Sequence, residues 1–171
     1  MGSLGLFTET DRTTVDRAAR LAESLVAQYF NLAHDDWIKN PYSLMTWKES
    51  AKYLRDTDVF AQTVRFDTRH TGKTQRAEKR DYYYGVLLAD PTILRALLRP
   101  QRHDLWTLGL FVLTHELVHI VRFRKFGVDF FGTCDERKKE EDVVHKITRE
   151  MLAGVESMDS LFSLYESGLK V

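Results

Sequence analysis

The sequence predicts an α+β fold in which a small antiparallel sheet packs on a helical core. Three observations carry that expectation. Apolar residues recur every three or four positions towards both ends of the chain, as helices require. Residues 59–66 and 82–88 have instead the aromatic and β-branched make-up of strands. The strands are grouped rather than alternating with helices, which argues against a βαβ arrangement. The 171 residues fit a single domain spanning 1–171. A chain of this size buries on the order of 70% of its unfolded surface.

The elements follow in order. Val15, Ala18, Ala22, Leu25, Tyr29 and Ala33 form one stripe of a helix over residues 10–34. Asn40-Pro41 ends helical structure, because the residue before proline avoids the helical region. Thr46 and Glu49 have capping-box spacing and start a short helix reaching about Arg55. The two strands flank a polar turn around Thr71-Gly72, giving an antiparallel hairpin. Arg65, Arg69, Lys73, Arg76, Lys79 and Arg80 make this hairpin basic; a solvated tip is preferred to an anion-contacting arm. Asp90 as N-cap and Pro91 as first helical residue open a helix that ends before Pro100. Asp104 caps a long helix running to about Phe126 and stopped by Gly127. After a loop over 129–134, a second long helix covers about 136–155, and a short one covers 161–165.

Composition narrows the function classes. Lys+Arg and Asp+Glu both number 25, so the chain lacks the basic excess of a protein built for nucleic acid or an anionic membrane. The single cysteine, Cys134, forms no internal disulfide and fits a reducing compartment. The first residues lack a basic segment followed by an apolar run, and Leu6 stands where a myristoylation signal takes Ser or Thr. The apolar run over 108–113 is too short to span a bilayer. The expectation is a cytoplasmic protein with no membrane and no nucleic-acid partner; oligomeric state is left open.

The chemistry concentrates in residues 105–123, LWTLGLFVLTHELVHIVRF. An apolar helix carrying His115, Glu116 and His119 needs partners for them, since burying an unpaired polar group costs roughly 2–7 kcal/mol. His115 and His119 lie four apart, one turn apart on one face, and two imidazoles so placed bind one zinc ion. Glu116 points elsewhere round the axis, suited to act as general base on water activated by the metal. Chance supplies this HExxH pattern in roughly one in a hundred sequences of such composition. A third ligand and an open position are still needed. The extended pattern with a further histidine is excluded, because positions 122 and 125 are Arg122 and Lys125. The following helix offers Glu136, Glu140, Glu141 and Asp142. Glu140 shares a stripe with Val144, Ile147 and Met151, whereas Glu141 shares one with His145 and Thr148. Glu141 is preferred as the ligand because His145 lies one turn away. His145 then supports His115 or Glu141, stabilises an oxyanion, or itself completes the metal site, in that order. Cys134 is expected to be a buried thiol rather than a blocking zinc ligand.

With HELVH and Glu141, the sequence resembles the zincin metallopeptidases, nearest to the glutamate-zincins, among them small single-domain forms and the ImmA/IrrE-like peptidase domains. The resemblance rests on motifs and covers the two long helices, about residues 104–152. It implies a zincin-like active-site helix followed by a glutamate-bearing helix. It also implies His115, His119 and Glu141 as zinc ligands, Glu116 as base and proton shuttle, and hydrolysis of a peptide or protein substrate. A sheet whose edge strand pairs with extended substrate is implied as well. One departure is His145, where many glutamate-zincins carry an aspartate supporting the first histidine. Two other readings compete. One is a di-iron carboxylate protein using Glu116/His119 and Asp142/His145, with Glu23 or Glu49 as further ligands. The other is a catalytically silent zincin-like binding or regulatory domain.

Overall fold

A computed structural model of the chain describes residues 5–53, 58–67, 82–99 and 103–166. The short helix expected to reach about Arg55 ends at Ser50, and the helix expected to end before Pro100 ends at Leu97; the Thr71-Gly72 turn and the basic residues beyond Arg65 lie outside the described residues.

Helix α1 (Glu9–Tyr29) starts at a reciprocal cap between Thr8 and Asp11 and buries Val15, Ala18, Ala19, Ala22 and Val26. It ends short of the expected residue 34, where Asn31 turns the chain at φ 49°. A four-residue helix, α2 (Asp36–Lys39), follows, and then a three-residue strand, β1 (Ser43–Met45). Neither is long enough to display a period. The Thr46–Glu49 capping box opens α3 (Trp47–Ser50) as the spacing predicts.

The mixed α and β content agrees with the α+β class, with β2 (Ala61–Asp67) and β3 (Tyr82–Leu88) pairing antiparallel, Ala61 opposite Leu88 and Asp67 opposite Tyr82. Strand β1 adds to the other side of β3 in parallel, so the sheet is mixed, with order β1-β3-β2. Gly85 permits this close approach: a Cβ there would stand 2.8 Å from the Phe66 ring and 3.4 Å from the Ser43 carbonyl oxygen. Central β3 is buried from Tyr84 onwards, whereas β2 is left at an edge of the described sheet.

Helix α4 (Asp90–Leu97) corrects the expected cap. Ala89 is the N-cap, and Asp90 is its first helical residue. The Asp90 carboxylate instead accepts from the Phe7 amide at 3.1 Å and the Trp47 amide at 2.9 Å. A buried carboxylate is thus satisfied by two other segments rather than by its own helix.

Helix α5 (Leu105–Lys125) is the axis of the molecule. Asp104 caps it through the Thr107 amide at 2.7 Å, and Gly127 at φ 68° follows its end. Every residue from Thr107 to Val121 is buried. Its length and composition would let it cross a membrane, but here α1, the sheet, α6 (Cys134–Leu152) and α7 (Met158–Glu166) pack around it. Helix α6 begins two residues earlier than expected because Thr133 and Glu136 form its capping box. Cys134 is therefore its first residue and is exposed, which overturns the expected buried thiol.

Candidate metal centre

One turn of α5 and one turn of α6 bring three donor groups together. The Nε2 atoms of His115 and His119 stand 3.2 Å apart. Glu141 faces both, with Oε2 3.2 Å from His115 Nε2 and Oε1 3.2 Å from His119 Nε2. Zinc–nitrogen bonds of about 2.0–2.1 Å at tetrahedral angles put neighbouring ligand atoms about 3.3 Å apart. The donor triangle therefore has the size a single tetrahedral ion requires. Among the described residues, the buried Nδ1 atoms of His115 and His119 have no hydrogen-bond partner, so no alternative bond there turns either ring. The residues present fit a zinc ion. A second group, His115, Glu141 and His145, also has its donor atoms within 4.8 Å of one another. His119 makes the tighter set with His115 and Glu141, through its 3.2 Å separations.

The electrostatics separate the roles of these groups. Burial lowers the His115 imidazole to about 4, so this ring is neutral near pH 7. Burial also acts to lower His119, but the Glu141 carboxylate, with Glu116 and Glu140 beyond it, outweighs burial and raises it. For Glu141, burial acts upwards, yet the hydrogen bonds to His115 and His119 hold it well below the ordinary carboxylate range. The two shifts have one cause, the close approach of Glu141 to His119, which favours the charged form of each.

Glu140 and Glu141 divide as their stripes predict. Glu140 is buried and takes both arms of Arg122, at 2.6 and 2.9 Å. Its Oε1 is 3.9 Å from His119 Nδ1, close enough to orient the ring electrostatically. Phe123 stacks on His119 with centroids 5.6 Å apart. His145 packs against His115, centroids 4.8 Å apart, and burial lowers its pKa. The side chains invoked for a di-iron centre are dispersed: Glu23 accepts from Tyr42, Glu49 caps α3, and Asp142 is exposed.

Glu116 sits beside the triangle, facing the sheet. Its Oε2 accepts a 2.6 Å hydrogen bond from the Thr63 hydroxyl on β2. Burial raises its carboxyl above the ordinary value, against the pull of His119 and Thr63. The triangle and Glu116 open into a groove of about 830 Å³ between β2, α5, the loop over 128–132 and the start of α6. His145 is not among its lining residues. Sequence reading missed Thr63, Arg122 and Phe123. Arg122 was legible only as the residue standing where the extended pattern takes a glycine, and its spacing from Glu140 across a loop carries no period. Thr63 was legible only as part of a strand. Comparison of the chain with protein-family models, with curated proteins and with solved structures returns no match.

Proposed function

We propose that the chain is a zinc-dependent hydrolase of peptide bonds. The observation that carries this reading is the 3.2 Å donor triangle of His115, His119 and Glu141 with Glu116 beside it at the floor of an open groove. Zinc bound there supplies a Lewis acid that polarises a carbonyl and acidifies water. The remaining work belongs to the protein. Glu116, held by Thr63 and raised by burial, takes the proton of the attacking water and passes it to the leaving amine. Glu140 and Arg122 orient His119, and His145 steadies His115 from outside the groove. Strand β2 at the sheet edge offers backbone groups to an extended peptide lying in the groove. The dispersal of Glu23, Glu49 and Asp142 favours this mononuclear reading over a di-iron one.

The test begins with metal analysis of purified protein, for which one zinc per chain is expected. Two irons per chain, or no retention of added zinc, would sink the reading. A mixture of internally quenched peptides then reports hydrolysis. Glu116→Gln is expected to keep zinc and lose at least about 10²-fold in rate, the scale of general-base catalysis. Full activity in that variant would remove Glu116 from the role.

A further inference from the structure

The charges along the groove are unequally matched. Its carboxylates are all engaged: Glu116 by Thr63, Asp129 by the Phe131 amide, Glu136 by Thr133, Glu140 by Arg122 and Glu141 by the two imidazoles. Its two guanidinium groups lining the walls, Arg65 and Arg137, have no carboxylate partner among the described residues. Thr63, Thr133 and the Phe131 amide are neutral donors, so the lining keeps more carboxylates than guanidinium groups, and Arg65 and Arg137 are its local positive points.

Arg65 is also held in place. Its guanidinium carbon lies 4.3 Å from the centroid of the Phe131 ring, 4.6 Å from that of Tyr82 and 5.7 Å from that of Phe130. The residue is nonetheless exposed. Stacking occupies the faces of a guanidinium and leaves its N–H edges free, the geometry that grips a carboxylate with two parallel hydrogen bonds. Preorganisation by the rings reduces the ordering such a grip requires. Arg65 is two residues from Thr63 on the same face of β2, so it lies about 7 Å along the strand from the group that holds Glu116. Arg137 stands on α6, one turn before Glu141 and on the facing wall.

We propose that Arg65, with Arg137 opposite, makes the groove selective for peptides carrying a carboxylate about two residues from the bond placed at Glu116. This deepens the peptidase reading and rests on it. The carboxylate comes from an Asp or Glu side chain or from a free C-terminus, and the two sources are separable by experiment.

Dye-labelled octapeptides are titrated into the Glu116→Gln protein with equimolar zinc chloride, and binding is read by fluorescence anisotropy. One arm compares a central Glu with Gln in C-terminally amidated peptides. The other compares a free C-terminus with the amide in the Gln peptide. In at least one arm the carboxylate peptide is expected to bind about tenfold tighter, the scale of one charge-assisted hydrogen bond. The Arg65→Gln substitution, made in the same background, should reduce that gap to about twofold, and Arg65→Lys should restore it only in part. Equal affinities in both arms, a gap unchanged by Arg65→Gln, or no peptide binding at all overturns the proposal. A circular dichroism spectrum matching the parent excludes misfolding, and Arg137→Gln gives an independent second variant on the other wall. Hydrolysis by the wild-type protein distinguishes the two layers. Equal cleavage of Glu and Gln peptides and of free and amidated C-termini overturns the selectivity and leaves the peptidase reading standing. Carboxylate-selective binding without any cleavage does the reverse.

Discussion

At the scale of single residues, the contact between Thr63 and Glu116 sets the direction of the proposed base. Glu116 is buried, and an unpaired buried carboxylate is costly, so the 2.6 Å bond from the Thr63 hydroxyl decides where its oxygens point. The contact joins the strand to the helix, and so couples the groove wall to the proposed base. Thr63→Val removes the hydroxyl while keeping the branched shape. The expected outcome is a fall in kcat of about tenfold, from loss of one hydrogen bond to a charged group, with KM and zinc content little changed. Thr63→Ser should recover most of the rate. A rise in KM with the fall in kcat, together with loss of zinc, would mean that Thr63 holds the fold rather than the base. His119 illustrates the same principle from another side. Phe123 fixes its plane and Glu140 faces its Nδ1, so the ring is placed before any ion arrives.

At the scale of elements, the placement of α5 depends on what holds its two ends. Its start is fixed by Asp104 and its last turn by a clamp from α2: Asp36 pairs with Arg124 at 2.7 Å and with Lys125 at 2.9 Å. The Asp36 and Arg124 side chains are only 7% and 3% exposed, so breaking this pair leaves a buried charge. Asp36→Asn is expected to lower unfolding free energy by about 3 kcal/mol, measured by urea denaturation. Burial acts to raise the Asp36 pKa, but Lys125 and Arg124 outweigh it, so the folded value lies below the unfolded one. The contribution is therefore complete above the unfolded pKa of about 3.9 and is lost as pH falls through the lower folded value. A variant whose stability difference from wild type persists unchanged through that acid range would contradict the assignment. This clamp also marks the limit of what the sequence discloses. Helix α5 and its caps were legible, because Asp104, Gly127 and the HELVH spacing are local signals. Glu141 was legible as one of two neighbours, through the stripe it shares with His145. Asp36, Arg124, Asp90 and Arg122 were not, since their partners stand far off in sequence or across a loop, and short elements such as α2 and β1 carry no period. The Asp90 misreading has the same origin: a local capping signal yielded to Phe7 and Trp47, which only the tertiary fold brings near.

For the whole molecule, the proposed site joins two parts of unequal attachment. Helix α1 packs along the apolar α5 through Ala18, Ala22 and Val26, whereas most of the α6 surface is polar and its buried residues are few. The buried residues of α6 are Glu140, Val144, Thr148 and Leu152, and Glu141 joins it to both histidines of α5. A metal bound across the two helices should therefore act on α6 more than on the core. Zinc at about a thousand times its Kd adds about 4 kcal/mol to a folded state that alone binds it. For a chain of this size that corresponds to a rise in Tm of about 10 °C. A chelator should reverse the rise, and Glu141→Gln should remove most of it. Amide hydrogen exchange should slow in α6 on adding zinc and change little in α1. The effect also has a required pH dependence. Zinc must displace the proton on His119, whose pKa is raised, so the zinc-induced rise in Tm grows as pH increases through that value. A zinc effect that is flat with pH, or equal protection of α1 and α6, would separate the ion from His119 and Glu141 and move it to another part of the molecule.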